Sequence, residues 1–173
     1  MSRFRQLKAF PQLNLFTQTA DKTIQNTNAE TSLFGTGVGS LTIPANLCAV
    51  GKSFIVTMAG YYAASIALTT FTLKLKANGA AIATSDALLL AGTSGILRID
   101  ALMTIRSIGV TGTVVSQGTI FSNAPVLQSI FNASPVTVDT TSGLAMDVTG
   151  TFSIGDPTNI AVTQLALLEV VSP

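Results

Sequence analysis

The side chains of this 173-residue sequence that could do chemistry are eight carboxylates, nine basic groups, one thiol and many hydroxyls; histidine is absent. Without imidazole there is no ordinary proton carrier near neutral pH, and no base to activate a Ser or Thr nucleophile. A Ser–Lys pair is the remaining route, yet Lys8, Lys22, Lys52, Lys74 and Lys76 stand in no Ser-x-x-Lys frame. Zinc asks for several Cys or His ligands and meets Cys48 alone. Carboxylates for a glycosidase pair exist, among them Glu30, Asp86, Asp100, Asp139, Asp147 and Glu169. Such a site sits in a groove with aromatic sugar platforms, and here only Tyr61 and Tyr62 are polar aromatics. The expectation is a protein that is not an enzyme and uses no cofactor and no metal.

Two other patterns invite a ligand and are set aside. Asp139 and Asp147 bracket Thr140, Thr141, Ser142 and Gly143, a loop that could offer two carboxylates to a hard cation. It has no EF-hand spacing and reads as solvated loop acids. Gly35-Thr-Gly-Val-Gly39 has the look of a phosphate-binding glycine loop. Ser40-Leu-Thr-Ile-Pro44 follows it as a strand stopped by proline, so no helix N-terminus would meet a phosphate. Cys48 cannot form an internal disulfide and reads as a small buried hydrophobe of a chain folded in a reducing cytoplasm.

The elements that must position any site are short strands. Only 10% of residues are charged, against about 25% in an ordinary soluble domain, while 47% are hydrophobic. Such a surface suits a protein that sits against other copies of itself or a larger body. A net charge of +1 steers the chain neither to nucleic acid nor to an anionic membrane. Mean hydropathy is +0.54, but Thr, Ser, Gly or Asp breaks every apolar run well short of a membrane span. No apolar h-region follows the basic start, so no signal peptide is expected.

Periodicity is two from Gln12 onward. Phe54, Val56 and Met58 alternate with Ile55, Thr57 and Ala59; Phe71, Leu73 and Leu75 with Thr72, Lys74 and Lys76; Ile99, Ala101, Met103 and Ile105 with Arg98, Asp100, Thr104 and Arg106. Leu144, Met146, Val148, Phe152 and Ile154 are expected to face inward, opposite Asp147, Thr149 and Thr151. The run Ile160 to Val171 is apolar on both faces, which predicts a central strand or one covered by a neighbouring subunit. Asn78–Gly79 predicts a type I′ hairpin, and further turns fall at 35–37, 44–46, 92–95, 109–112 and 155–157. Asp86–Ala91 and Ala124–Phe131 are the stretches with some helical character. The sequence therefore predicts an all-β, antiparallel, jelly-roll-like β-sandwich of about eight to ten short strands over residues 12–173. Residues 1–11 precede it as an arm whose Arg3, Phe4, Arg5, Lys8 and Phe10 are candidates for docking on a partner.

The segment Ala20 to Tyr62, ADKTIQNTNAETSLFGTGVGSLTIPANLCAVGKSFIVTMAGYY, resembles one that recurs in structural proteins of tailed bacteriophages. A Thr-rich lead-in precedes an E-T-S-L-F-G-x-G-x-G-S-L-T-I-P-A-N core, and a Gly-Lys precedes a long strand ending in Gly-Tyr-Tyr. LKLKANGAAIATS and ALMTIRSIGVTGTVVSQGTIF are similar in the same way, so the resemblance spans most of residues 20–170. Cys48 and Ser65–Leu68 have no match in it. The resemblance implies a virion component: a capsid decoration or cement protein, a head fibre, or a tail-fibre or spike module. It implies a small β-sandwich assembled as a homotrimer on the outer capsid surface, made in the host cytoplasm, with the major capsid protein as partner. The competing readings are a tail-fibre receptor-binding module and a carbohydrate-binding β-sandwich.

Overall fold

Each long period-two run of the sequence forms a strand, and the strands join edge to edge into a single curled sheet. The computed structural model describes residues 13–65, 68–90, 94–123 and 128–171. Among these residues the strands are β1 (Leu13–Gln18), β2 (Lys22–Gln25), β3 (Thr31–Ser32), β4 (Gly37–Gly39), β5 (Thr42–Ile43), β6 (Ser53–Ala63), β7 (Thr70–Ala77), β8 (Ala80–Ser85), β9 (Leu88–Leu89), β10 (Ser94–Ser107), β11 (Gly112–Ser122), β12 (Gln128–Phe131), β13 (Val136–Val138), β14 (Leu144–Phe152) and β15 (Ile160–Val170). The only helical turn among them is a short 3-10 turn, Ala45–Leu47. The sheet runs β3-β14-β7-β8-β12-β11-β10-β6-β15-β1-β4, with antiparallel pairing along it.

The sheet doubles over so that its inward side chains meet in one core, with Phe54, Phe71, Leu73, Leu75, Ile99, Ile105 and Phe152 all fully buried. The first wall is β14, β7 and β8; the second is β11, β10, β6, β15 and β1. Two strand pairs turn the corner between walls side by side. β6 leads into β7 while β14 leads into β15; β6 pairs with β15, and β7 with β14. The Thr70 amide donates to Ser153 Oγ at 2.9 Å, and the Ser153 amide to Thr70 O at 2.9 Å. A double arm folded over itself in this way is the jelly-roll arrangement.

Residues 13–43 close the roll. β1 and β2 pair with β15, β3 and β5 pair with β14 at the opposite end of the path, and β4 returns to β1. Gln18 sits at the crossing, 5% exposed. Its Nε2 donates to the Thr163 carbonyl at 2.8 Å and its Oε1 accepts from the Gly35 amide at 2.8 Å. Thr163 begins a β-bulge in β15, a place where the ladder leaves backbone groups unpaired.

That bulge explains the doubly apolar run Ile160 to Val171. The strand is central, between β6 and β1/β2, and the extra residue shifts its phase. Thr163 turns inward and is buried while Leu165 turns outward at 42% exposure. Ile154, expected inside, is 39% exposed, because β14 ends at Phe152 and the chain turns the corner at Ser153. The two helix-like stretches are partly strand. Leu88–Leu89 pair with β7, and Gln128–Phe131 lie between β8 and β11; tertiary pairing overrides weak local propensity. Fifteen strands among the described residues exceed the expected eight to ten because loops add stubs of two to four residues. The Asn78–Gly79 hairpin forms as expected, with φ of 49° and 81°. Arg3, Phe4, Arg5, Lys8 and Phe10 lie outside the described residues.

Replacing Gln18 with Leu removes both buried hydrogen bonds and leaves the Thr163 carbonyl and Gly35 amide unpaired. The expected loss is about 3 kcal/mol, read as a lower urea midpoint, whereas Gln164→Ala at the neighbouring exposed position should leave the midpoint unchanged.

Candidate functional site

Glu30, Asp139, Asp147 and Asp156 are each held by different partners. Glu30 accepts from Lys74 Nζ and Lys76 Nζ, both at 2.6 Å, and from Thr149 Oγ1 at 3.1 Å. The two ammonium groups hold its pKa down at about 2. Asp139 accepts from Thr141 Oγ1 at 2.6 Å and from the Thr141 amide at 2.8 Å, which lowers its pKa. Asp156 is lowered in the same way by the hydroxyl and amide of Thr158. Asp147 accepts from Ser32 Oγ at 2.6 Å. Asp139 thus braces its own loop while Asp147, within β14, holds Ser32 of β3, and no group of three potential metal ligands occurs among the described residues.

The glycine loop is strand β4, laid against β1. A Cβ at Gly39, where φ is +95°, would stand 2.1 Å from the Leu15 carbonyl oxygen, so this glycine serves close backbone approach rather than phosphate binding. Cys48 is buried as expected, its Sγ 3.6 Å from the Pro44 carbonyl, and burial pushes its thiol pKa up. The two tyrosines part ways: Tyr62 is in the core and Tyr61 is 44% exposed.

The outward faces of the two walls differ in chemistry. On the first wall, Lys76 stands opposite Asp147, Lys74 opposite Thr149 and Thr72 opposite Thr151, with Glu30 bridging both lysines. This is a hydroxyl-rich, ion-paired surface. The second wall instead presents Tyr61, Ile96, Leu102, Phe121, Phe131 and Leu165 at 42–60% exposure. Direct cross-strand partners share a face, so the register gives this surface row by row. One row is Glu169–Ile55–Leu102–Gln117–Phe131, the next is Leu167–Thr57–Asp100–Thr119–Ser129, and the third is Leu165–Ala59–Arg98–Phe121.

A groove of about 840 Å³ runs over these rows from Arg98 to Arg106. Arg98 Nε donates to Asp100 Oδ2 at 2.9 Å, and its guanidinium carbon lies 5.9 Å from the centre of the Phe121 ring. Thr104 Oγ1 hydrogen-bonds Ser53 Oγ at 2.8 Å, and Asn132 Nδ2 donates to the Ala81 carbonyl at 3.1 Å. Thr57, Gln117, Thr119 and Glu169 add to the polar lining; Ile55 and Leu102 supply apolar floor. The sequence pattern placed Arg98, Asp100 and Arg106 on the face away from the core but attached no role to them. The available signal was the apolar residue at the polar phase, Leu102 in β10 and Ile55 in β6.

A second feature is the end of the sandwich at which β1 begins. Leu13 pairs with Val170, and the Val171 amide donates to the Ser53 carbonyl at 3.0 Å. Beside them, loop tips expose Val50 at 63%, Ile108 at 58% and Val110 at 69%. The tips are braced: Gly51 N donates to Ile105 O at 2.9 Å, Ile105 N to Lys52 O at 3.0 Å, and Thr140 N to Gly109 O at 3.1 Å.

No family model matches the chain, and no curated protein matches it. Among solved structures, it is similar to the CBM2 module of the evolved Dit from Lactobacillus casei BL23 phage J-1. Identity is 12% over 76% of this chain and 68% of that one, at a TM-score of 0.32.

The Glu30 cluster gives a pH signature. Its pKa is lowered from 4.5 to about 2 on folding, so its ion pairs stabilise the fold fully above pH 4.5 and are lost as pH falls toward 2. Urea titrations at stepped pH should show stability falling across that window. Glu30→Gln should flatten that part of the acid limb while lowering stability at pH 7.

Proposed function

We propose that the protein is a structural component of a tailed-bacteriophage particle, a capsid decoration protein that binds the outer head surface as a homotrimer and stiffens the shell. The observation that supports this best is the end bearing Val50, Ile108 and Val110. Large apolar side chains on hydrogen-bonded tips are already ordered, so docking them sacrifices little conformational entropy. The basic, aromatic segment carrying Arg3, Phe4, Arg5, Lys8 and Phe10 is tethered at this same end through Leu13. A chain with 10% charged residues also buries surface against the major capsid protein with few ions to desolvate. Repetition of the contact over a lattice multiplies its modest strength. The trimer rests on the resemblance of residues 20–170 and on the low charge.

In this reading the protein supplies grip and rigidity rather than turnover. Heads lacking it should release DNA at lower temperature while adsorption to host cells stays normal; intact heads with lost adsorption would instead make it a tail-fibre module. Deleting residues 2–10, or replacing Val50 and Val110 with Asp, should cut head occupancy about tenfold while leaving the isolated fold intact. Unchanged occupancy in both variants would remove this end from the contact. Sedimentation equilibrium at micromolar concentration should give the mass of three chains; a monomer that persists on concentration would rule out the trimer.

A further inference from the structure

We infer that the groove on the outward face of the second wall binds a neutral, hydroxyl-rich glycan chain. Its charges balance, with Arg98 and Arg106 against Asp100 and Glu169. An anionic ligand would use the two guanidinium groups but meet both carboxylates, and a cation would meet the reverse. A ligand that both donates and accepts hydrogen bonds without net charge suits all four. Sugar hydroxyls do so, and the Gln117 and Asn132 amides with the Thr57 and Thr119 hydroxyls offer the same dual capacity.

Arg98 is already set for this task. Its Nε is engaged by Asp100 and its guanidinium carbon lies 5.9 Å from the centre of the Phe121 ring, so two contacts restrain the side chain before any ligand arrives and its terminal nitrogens remain to donate. Phe121, Leu102 and Ile55 lie beside these polar groups and offer apolar surface to the C–H faces of sugar rings. The distance along β10 from Arg98 to Arg106 is about 27 Å at the usual strand rise, room for several rings in a row. An extended peptide is disfavoured because β6, β10, β11 and β15 are each paired on both sides, which leaves no open edge for strand addition.

The test is affinity electrophoresis of the isolated protein through gels containing dextran, amylose, galactan or galactomannan, with alginate as the acidic counterpart. At least one neutral polysaccharide should retard the wild type. Arg98→Ala, Asp100→Ala and Gln117→Ala should each weaken retardation about tenfold, and Ser32→Ala on the first wall should not. Thermal midpoints within about 2 °C of wild type show a retained fold; if Arg98→Ala unfolds, the exposed Gln117→Ala carries the comparison. No retardation by any neutral polysaccharide overturns the proposal. So does retardation that survives all three groove variants, or stronger retardation by alginate. Loss of head occupancy in Arg98→Ala without any polysaccharide binding would assign the groove to a protein partner and overturn it equally. Because the gels contain no phage particle, the outcome is independent of whether the protein decorates heads.

Discussion

A rolled sheet of this kind depends on how its two ends are held together, and in this protein one buried amide holds the crossing. Gln18 bonds both the β15 bulge, at Thr163, and the returning loop, at Gly35. The bulge is needed because β15 must bend to follow β6 on one side and β1 on the other. Bending frees a carbonyl inside the protein, where an unpaired polar group is costly. A glutamine reaching in from β1 satisfies that carbonyl and fixes where β1 lies. The position of β1 then sets β4, and β4 leads directly to β5 on the far wall. Closure is therefore one chain of dependencies running from a backbone defect.

Closure also decides what the outer surfaces can be. With β3, β4 and β5 capping the ends as two- or three-residue strands, little open edge remains for unwanted pairing. A wall whose edges are covered can carry exposed aromatic and aliphatic side chains with less risk of growing into a fibre. The first wall, bearing Lys74, Lys76 and Glu30, is a conventional solvated surface. The second, with Phe121, Leu102 and Tyr61 among charged and amide groups, is amphipathic over several strands.

Much of the architecture was readable from alternation alone. The core residues of β6, β7 and β10 follow the predicted phase, as does the Asn78–Gly79 turn. What was not readable has a common physical origin, in that it depends on partners distant in sequence. The inward turn of Thr163 follows from a bulge set by β6 and β1. The outward turn of Ile154 follows from a corner shared with Thr70. Gln128–Phe131 is extended because β8 and β11 flank it, and its own residues say little. The groove was legible only in part: the charged phase of β10 was evident, but a rung such as Glu169–Ile55–Leu102–Gln117–Phe131 collects residues from five strands, and no local window contains it. Glu30 was noted as a carboxylate, whereas its grip on Lys74 and Lys76 depends on how the loop before β3 lies across β7.

The pairing of β1 with β15 also bears on how the chain is made. Residues 13–18 leave the ribosome well before the strand against which they lie, which ends only at Val170. The edge of β1 toward β4 can be filled early, but its other edge must wait until nearly all of this sequence has been synthesised. The two long arms that turn the corner together have the same difficulty, since β6 needs β15 and β7 needs β14. Folding of the two walls cannot be completed in step with translation, and assembly by such distant pairings is slow. The scarcity of charge that suits a docked protein then exposes the nascent chain to association while it waits. Its safety during synthesis rests on speed of closure after Val170 emerges, not on the stability of any early part.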